Sequence, residues 1–188
     1  MARTLIRAID RLNNGIGISV AWFALAMVLV QFLVVVLRYV FGVGWLFLQE
    51  SIVYLHGAMF MLGSAYTLLH NGHVRVDIFY RDADPRWKAK VDVAGHVLFL
   101  IPVCALILIY SWPYVVSSWA SLEGSREISG IPAVFLLKTV VLVFCVLMIL
   151  QGLAQGLKAL LVLTGRARAA DVYPSEPDPT EDARASAQ

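Results

Sequence analysis

The sequence predicts an all-α integral membrane protein: four transmembrane helices, an N-terminal amphipathic helix lying in the membrane plane, and both termini cytoplasmic. Three observations lead there. First, 60% of the 188 residues are apolar and 15% are charged, against roughly a quarter charged in soluble domains, and the mean hydropathy is +0.75. Second, the only long charged interior run, His70 to Asp92, holds five basic and four acidic residues, too many for hydrocarbon. It stays in water and divides the chain into halves that can each cross a membrane twice. Third, twelve of the fifteen Lys and Arg residues fall in the N-terminal segment, this central loop and the C-terminal segment, so those three face the cytoplasm by the positive-inside rule. A net charge of +2 gives no reason to expect nucleic acid as a partner.

Taken in order, residues 1–14 place Leu5, Ile6, Ile9 and Leu12 at helical spacing with Arg3, Arg7 and Arg11 between them, the pattern of a helix resting in lipid headgroups. Gly15 to Leu37 carries no charge. At about 1.5 Å per residue it reaches about 35 Å, enough for a hydrocarbon core of about 30 Å. That run is too long for a signal-peptide core and lacks a small-residue cleavage site, so it reads as span one, residues 15–38. Span two covers 46–69, entered through Tyr39, Phe41 and Trp45, which suit an interfacial aromatic belt. Arg38 and Glu50 flank this tight hairpin and lie near one interface. They either pair there or reach water separately.

Span three covers 91–119, with a kink expected near 97–102 because Pro102 removes a backbone donor. Pro132 suits the first turn of span four, 133–163. Its lysines, Lys138 and Lys158, bracket 19 uncharged residues and reach opposite headgroup layers. Residues 164–188, rich in Pro, Ala, Asp and Glu, read as a disordered cytoplasmic tail. Cys104 and Cys145 lie within apolar runs, where a thiol acts as a small hydrophobe.

Few side chains could carry chemistry. No nucleophile, base and orienting acid share an apolar site, which argues against an enzyme; no metal set is expected either. His56 and His70 are spaced for stacked haems, but no second helix offers a matching pair, so a b-type haem electron-transfer subunit is disfavoured and no cofactor is expected. His56 is the one titratable group at mid-membrane depth, either a hydrogen-bond donor to a neighbouring helix or part of a substrate path; the former fits better. Gln151 and Gln155, beside Gly152 and Gly156, form a polar and small-residue stripe suited to close helix packing, within the bundle or against another subunit.

Arg38-Tyr39-Val40-Phe41-Gly42, then Trp45 and Glu50, then Gly72-His73-Val74-Arg75-Val76-Asp77 resemble the small membrane subunit of TRAP (tripartite ATP-independent periplasmic) transporters, the DctQ-like family. The segment Arg126 to Pro132, with Leu137-Lys138 and Leu150-Gln151-Gly152, is similar to a branch labelled for mannitol or chloroaromatic compounds and associated with organic acids. The resemblance implies a multi-pass subunit of the bacterial inner membrane. Its implied partners are membrane lipids, a large elevator-type membrane subunit driven by a sodium or proton gradient, and a periplasmic substrate-binding protein. It implies a scaffolding role, with Arg38, Trp45 and the central loop as anchors. His73 or Arg75 would bond Asp77 across the turn that ends span two, or that loop is simply solvated. A stand-alone four-span assembly or sensor protein is the other reading.

Overall fold

The computed structural model describes residues 2–74, 80 and 83–173. Among them every regular element is helical: α1 (Ala2–Val40), α2 (Leu46–Leu69), α3 (Pro85–Gly95), a π-helical turn (His96–Leu100), α4 (Ile101–Ala120), α5 (Val134–Leu163) and the short α6 (Ala169–Val172). Four stretches are long and apolar enough to cross a membrane: α1, α2, the continuous run Pro85–Ala120, and α5. The protein is therefore a multi-pass membrane protein, with α5 as its hub against α1, α2, α3, the π turn, α4 and α6.

The segment expected as a separate surface helix is joined to span one without a break. All 39 residues of α1 form one helix, about 58 Å long at the helical rise. Its apolar residues divide between two surroundings. Ile6 and Ile9 are buried on the bundle, whereas Leu5 and Leu12 point outward. Asn13, a poor residue for a helix interior, is held there because its side chain is buried against α5. Gly17 lets α1 approach α2 closely: a Cβ at that position would lie 2.2 Å from Cγ of Tyr66.

At its other end α1 stops at Val40, and Gly42, with a φ of +69°, reverses the chain, the Val43 amide donating to the Leu37 carbonyl. The second span matches the apolar run, 46–69. Its C-terminus is closed by Asn71 in the left-handed region, φ 55°. The Gly72 amide donates to the Thr67 carbonyl and the Asn71 amide to the Leu68 carbonyl, the paired bonds of a Schellman cap. Asn-Gly suits this end because both residues tolerate a positive φ.

Span three begins earlier than the hydropathy run suggests. Asp84 caps it by accepting from the Arg86 amide, and Pro85 occupies the first turn, where a missing N–H costs nothing. The expected irregularity before Pro102 is a π turn, in which the Ile101 amide donates to the His96 carbonyl. Proline cannot donate and its ring crowds the carbonyl four residues back; a wider turn accommodates both. The π turn sits against the glycines of α5. A Cβ on Gly152 would lie 2.2 Å from Leu100 Cδ2, and one on Gly156 would lie 3.9 Å from His96 Cβ. The glutamine and glycine stripe thus packs within the bundle, next to a core of Ala65, Cys104, Cys145, Leu147 and Met148. Both cysteines are free and buried.

Residues 164–173, expected as the start of a disordered tail, pack instead. Ala169, Val172 and Tyr173 lie against Ala89, Ala159 and Val162, and the Tyr173 hydroxyl donates to Asp92 at 2.9 Å. The apolar residues Val172 and Tyr173 give this short piece a face to bury, which the rest of the tail sequence does not offer. Residues 174–188 lie outside the described residues.

Candidate assembly site

Polar side chains gather at the two ends of the bundle. One end holds the α1–α2 connection and the loop 121–133. The other holds the N-terminus, the end of α2, the start of α3 and residues 164–173.

At the first end the expected pairing of Arg38 with Glu50 is not formed. Arg38 is exposed and is in neither of the two ion pairs among the described residues. Glu50 turns to the loop instead, accepting from the Ser125 hydroxyl and, at 2.6 Å, from the Ile131 amide. Helical rise fixes how deep a residue lies, but not which way it faces, and the loop supplies neutral donors on the inward face. Gly130 makes this approach feasible, because a Cβ there would fall 2.4 Å from Ser125 Cβ and 2.7 Å from Glu50 Oε1.

A second clamp holds the same loop to α5. Glu123 accepts from the Lys138 ammonium and from the Ser118 hydroxyl, the latter at 2.7 Å. Lys138 also lies 3.9 Å from the centre of the Tyr114 ring, a cation–π contact. The Lys138 bond, then the Ser118 bond, holds the Glu123 carboxyl below its usual pKa range. Close by, Trp119 Nε1 donates to Thr139 Oγ1 at 2.8 Å. Arg38, Tyr39, Phe41 and Trp45 are exposed around this end, a belt suited to an interface.

The opposite end is tied more deeply. Asn13 Nδ2 donates to Gln151 Oε1 at 2.7 Å, Gln151 Nε2 donates to Asp10 Oδ1 at 3.2 Å, and Lys158 Nζ lies 2.9 Å from Asp10 Oδ2. Both amide side chains are buried, and the chain of bonds satisfies Asn13 Nδ2 and both polar atoms of Gln151, while Asn13 Oδ1 has no partner among the described residues. Gln155 Nε2 donates to the Leu68 and Leu69 carbonyls at 3.2 and 3.3 Å, supplying donors to carbonyls at the C-terminal end of α2. His70 Nε2 donates to Asn14 Oδ1 at 3.1 Å, and its ring packs 4.3 Å from that of Tyr66.

His73 bonds back to the Ser64 carbonyl, its Nε2 donating at 3.2 Å. The expected bond from His73 or Arg75 to Asp77 involves residues 75 and 77, which lie outside the described residues. Asp92 accepts from the hydroxyls of both Tyr80 and Tyr173, joining the central loop and the C-terminal segment to α3. His56 is exposed on the outer face of α2, its ring 4.8 Å from that of Phe60. The donor role expected of it toward a neighbouring helix is not filled among the described residues.

Asp10, Asn13, Ser125 and Asp92 carry much of this network and went unread as site residues in the sequence. Asp10 and Lys158 did offer a signal, as opposite charges flanking apolar runs that share one side of the membrane. Lys138 and Lys158 do sit at opposite ends of α5, but each is drawn to a carboxylate rather than left to reach outward alone.

Four long apolar helices, cross-tied at both ends by hydrogen bonds and ion pairs between their side chains, define a helical multi-pass membrane protein. The family model for "Tripartite ATP-independent periplasmic transporters, DctQ component" matches residues 27–161, and the chain belongs to that family. It is 33% identical over 98 residues to the C4-dicarboxylate TRAP transporter small permease protein DctQ of Vibrio cholerae serotype O1. That alignment covers 50% of this chain and 40% of the relative. No solved structure matches the chain.

Proposed function

We propose that this chain is the small, non-catalytic membrane subunit of a TRAP transporter of the bacterial inner membrane. It stands beside a large elevator-type subunit as part of the immobile scaffold, while a periplasmic binding protein delivers an organic acid for uptake driven by an ion gradient. Both termini face the cytoplasm, in keeping with the distribution of Lys and Arg. An elevator subunit that slides through the bilayer needs a neighbour that does not move with it.

The observation that carries this reading is the use made of the polar groups. Asn13, Gln151, Gln155, Asp10 and Lys158 bond to one another or to α2 carbonyls, and Glu50, Glu123 and Lys138 hold the loop 121–133. A transported acid needs side chains with bonds to spare; a fixed support needs them already engaged. The reading is tested by expressing the chain with a large TRAP subunit from the same organism and a tag on this chain alone. Recovery of the large subunit in stoichiometric amount supports it. Clean recovery of this chain by itself, from membranes that contain both, rejects it.

A further inference from the structure

Residues of α2, α3, the π turn, α5 and α6 line a partly open cavity of about 520 Å³ at the end of the bundle that holds the N-terminus, a size within the range of about 300–1,000 Å³ typical of small-molecule sites. Its wall changes character with depth. Asp92, Tyr80 and Tyr173 make it polar toward the end of the bundle, and Leu100 and Met148 make it apolar further in. Leu100 lies eight residues beyond Asp92, about 12 Å deeper at the helical rise. Met148 lies ten residues before Lys158, about 15 Å deeper than the ion pair of Lys158 with Asp10. Gly95 adds room on the α3 wall, because nothing lies within 4 Å of a Cβ placed there.

Asp92 brings the one carboxylate to this wall among the described residues, and no Lys or Arg joins it there. It accepts from the Tyr80 and Tyr173 hydroxyls at 2.9 to 3.0 Å, neutral donors both, and it is in neither of the two ion pairs among the described residues. A carboxylate has about four acceptor sites, so two hydroxyls leave some of them open. A half-buried charge beside apolar walls gains from a cation of its own. His73, His96 and Gln155, also on the wall, already bond to backbone carbonyls. Lys88, one turn before Asp92 on α3, lies 5.4 Å from the centre of the Tyr80 ring, so positive charge stands beside the same tyrosine.

We propose that this cavity is a site for one aminophospholipid, a phosphatidylethanolamine whose primary ammonium bonds to Asp92 and whose acyl chain lies against Leu100 and Met148. The ammonium supplies three N–H donors and the positive charge that the two tyrosines do not. The order of charge in the headgroup, ammonium then phosphate, matches Asp92 and Lys88 one turn apart. A soluble amine would use the Asp92 end alone; the apolar depth of the cavity is what selects a lipid. The cavity has room for the headgroup and the upper part of one chain, and the remainder of the lipid stays in the bilayer. This assignment does not depend on the scaffolding role proposed above.

The test is native mass spectrometry of the full chain, stripped of lipid in detergent and titrated with phosphatidylethanolamine, phosphatidylglycerol or O-phosphoethanolamine. The first equivalent of phosphatidylethanolamine should bind at least about tenfold more tightly than phosphatidylglycerol, which lacks the amine, the size of one charge-assisted hydrogen bond. O-phosphoethanolamine, the headgroup without chains, should not be retained. Asp92→Asn keeps an acceptor for the tyrosines but loses the charge and should erase the preference. Gly95→Phe fills the cavity and should remove the tightly held lipid. Three results overturn the assignment: equal retention of the two lipids by the unaltered chain, an unchanged preference in either variant when folded, or O-phosphoethanolamine bound as tightly as the lipid, which would give the site to a soluble amine. The comparison of lipids on the unaltered chain decides even where a variant does not fold.

Discussion

Glu50 on α2 accepts a hydrogen bond from the backbone amide of Ile131, 81 residues further along the chain, at 2.6 Å. Together with the Ser125 hydroxyl on its other oxygen, this bond fastens the loop between α4 and α5 onto the α1–α2 hairpin. One carboxylate thus joins the two halves of the molecule at this end, while Arg38, its nearest sequence partner of opposite charge, stays outside.

Glu50→Ala should therefore lower the melting temperature of the purified protein by several degrees, because the Ile131 amide and Ser125 hydroxyl lose their acceptor. Arg38→Ala should leave it nearly unchanged. Reversing both charges, Arg38→Glu with Glu50→Arg, should melt no higher than Glu50→Arg alone. Rescue by the double reversal would restore the ion pair between them.

At the other end, Gln151→Leu strands Asn13 Nδ2 in a buried site and should cost about 1–3 kcal/mol. Replacing both Asn13 and Gln151 by Leu removes the two unmet partners together and should recover part of that loss. A double-mutant cycle on unfolding in detergent reads the coupling; a coupling of zero would mean the two amides do not interact.

Two neighbouring glycines on α1 should respond in opposite ways. Gly17→Ala pushes a methyl into the Tyr66 ring at its rigid base and should destabilise by about 1–3 kcal/mol. At Gly15 nothing lies within 4 Å of a new Cβ, so Gly15→Ala should be neutral or stabilising by up to about 1 kcal/mol through helix propensity. Thermal melts of the two variants compare them directly.

The Glu123 clamp carries a sign that can be checked. Its carboxyl pKa is lowered in the folded protein by Lys138 and then by Ser118, so the stabilisation it gives is present in full above the ordinary carboxylate value, about 4.3. As pH falls below that value and through the depressed folded pKa, the stabilisation is lost. Hydrogen exchange of residues 121–133 should be independent of this clamp's titration near neutrality and show faster opening in acid, after correction for intrinsic rates. Glu123→Gln should already open the loop at neutral pH and flatten that acid response.

The spans were legible because solvent dictates them: an uncharged run of this length has nowhere else to go. Helix α2 follows the apolar run 46–69, with Trp45 before it and Asn71-Gly72 closing it. Pro102 announced an irregular turn, although the π form depends on Gly152 leaving room for Leu100. The start at Pro85 was also available locally, in the Asp84 cap, but the charge of this stretch drew attention to solvation rather than to helix initiation. The partner of Glu50 and the unbroken passage through Asn13 were not readable, because both depend on residues brought close only by the packing of α5 and its loop. His56 was expected to donate to a neighbouring helix, yet it faces outward, a direction that the packing of the bundle alone decides.

Uptake of a labelled organic acid into proteoliposomes under an ion gradient tests the supporting role most directly, comparing this chain alone, the large subunit with its binding protein, and all three together. Accumulation only from the complete set is expected. Accumulation by this chain alone, or an undiminished rate when it is left out, contradicts a fixed and non-transporting support.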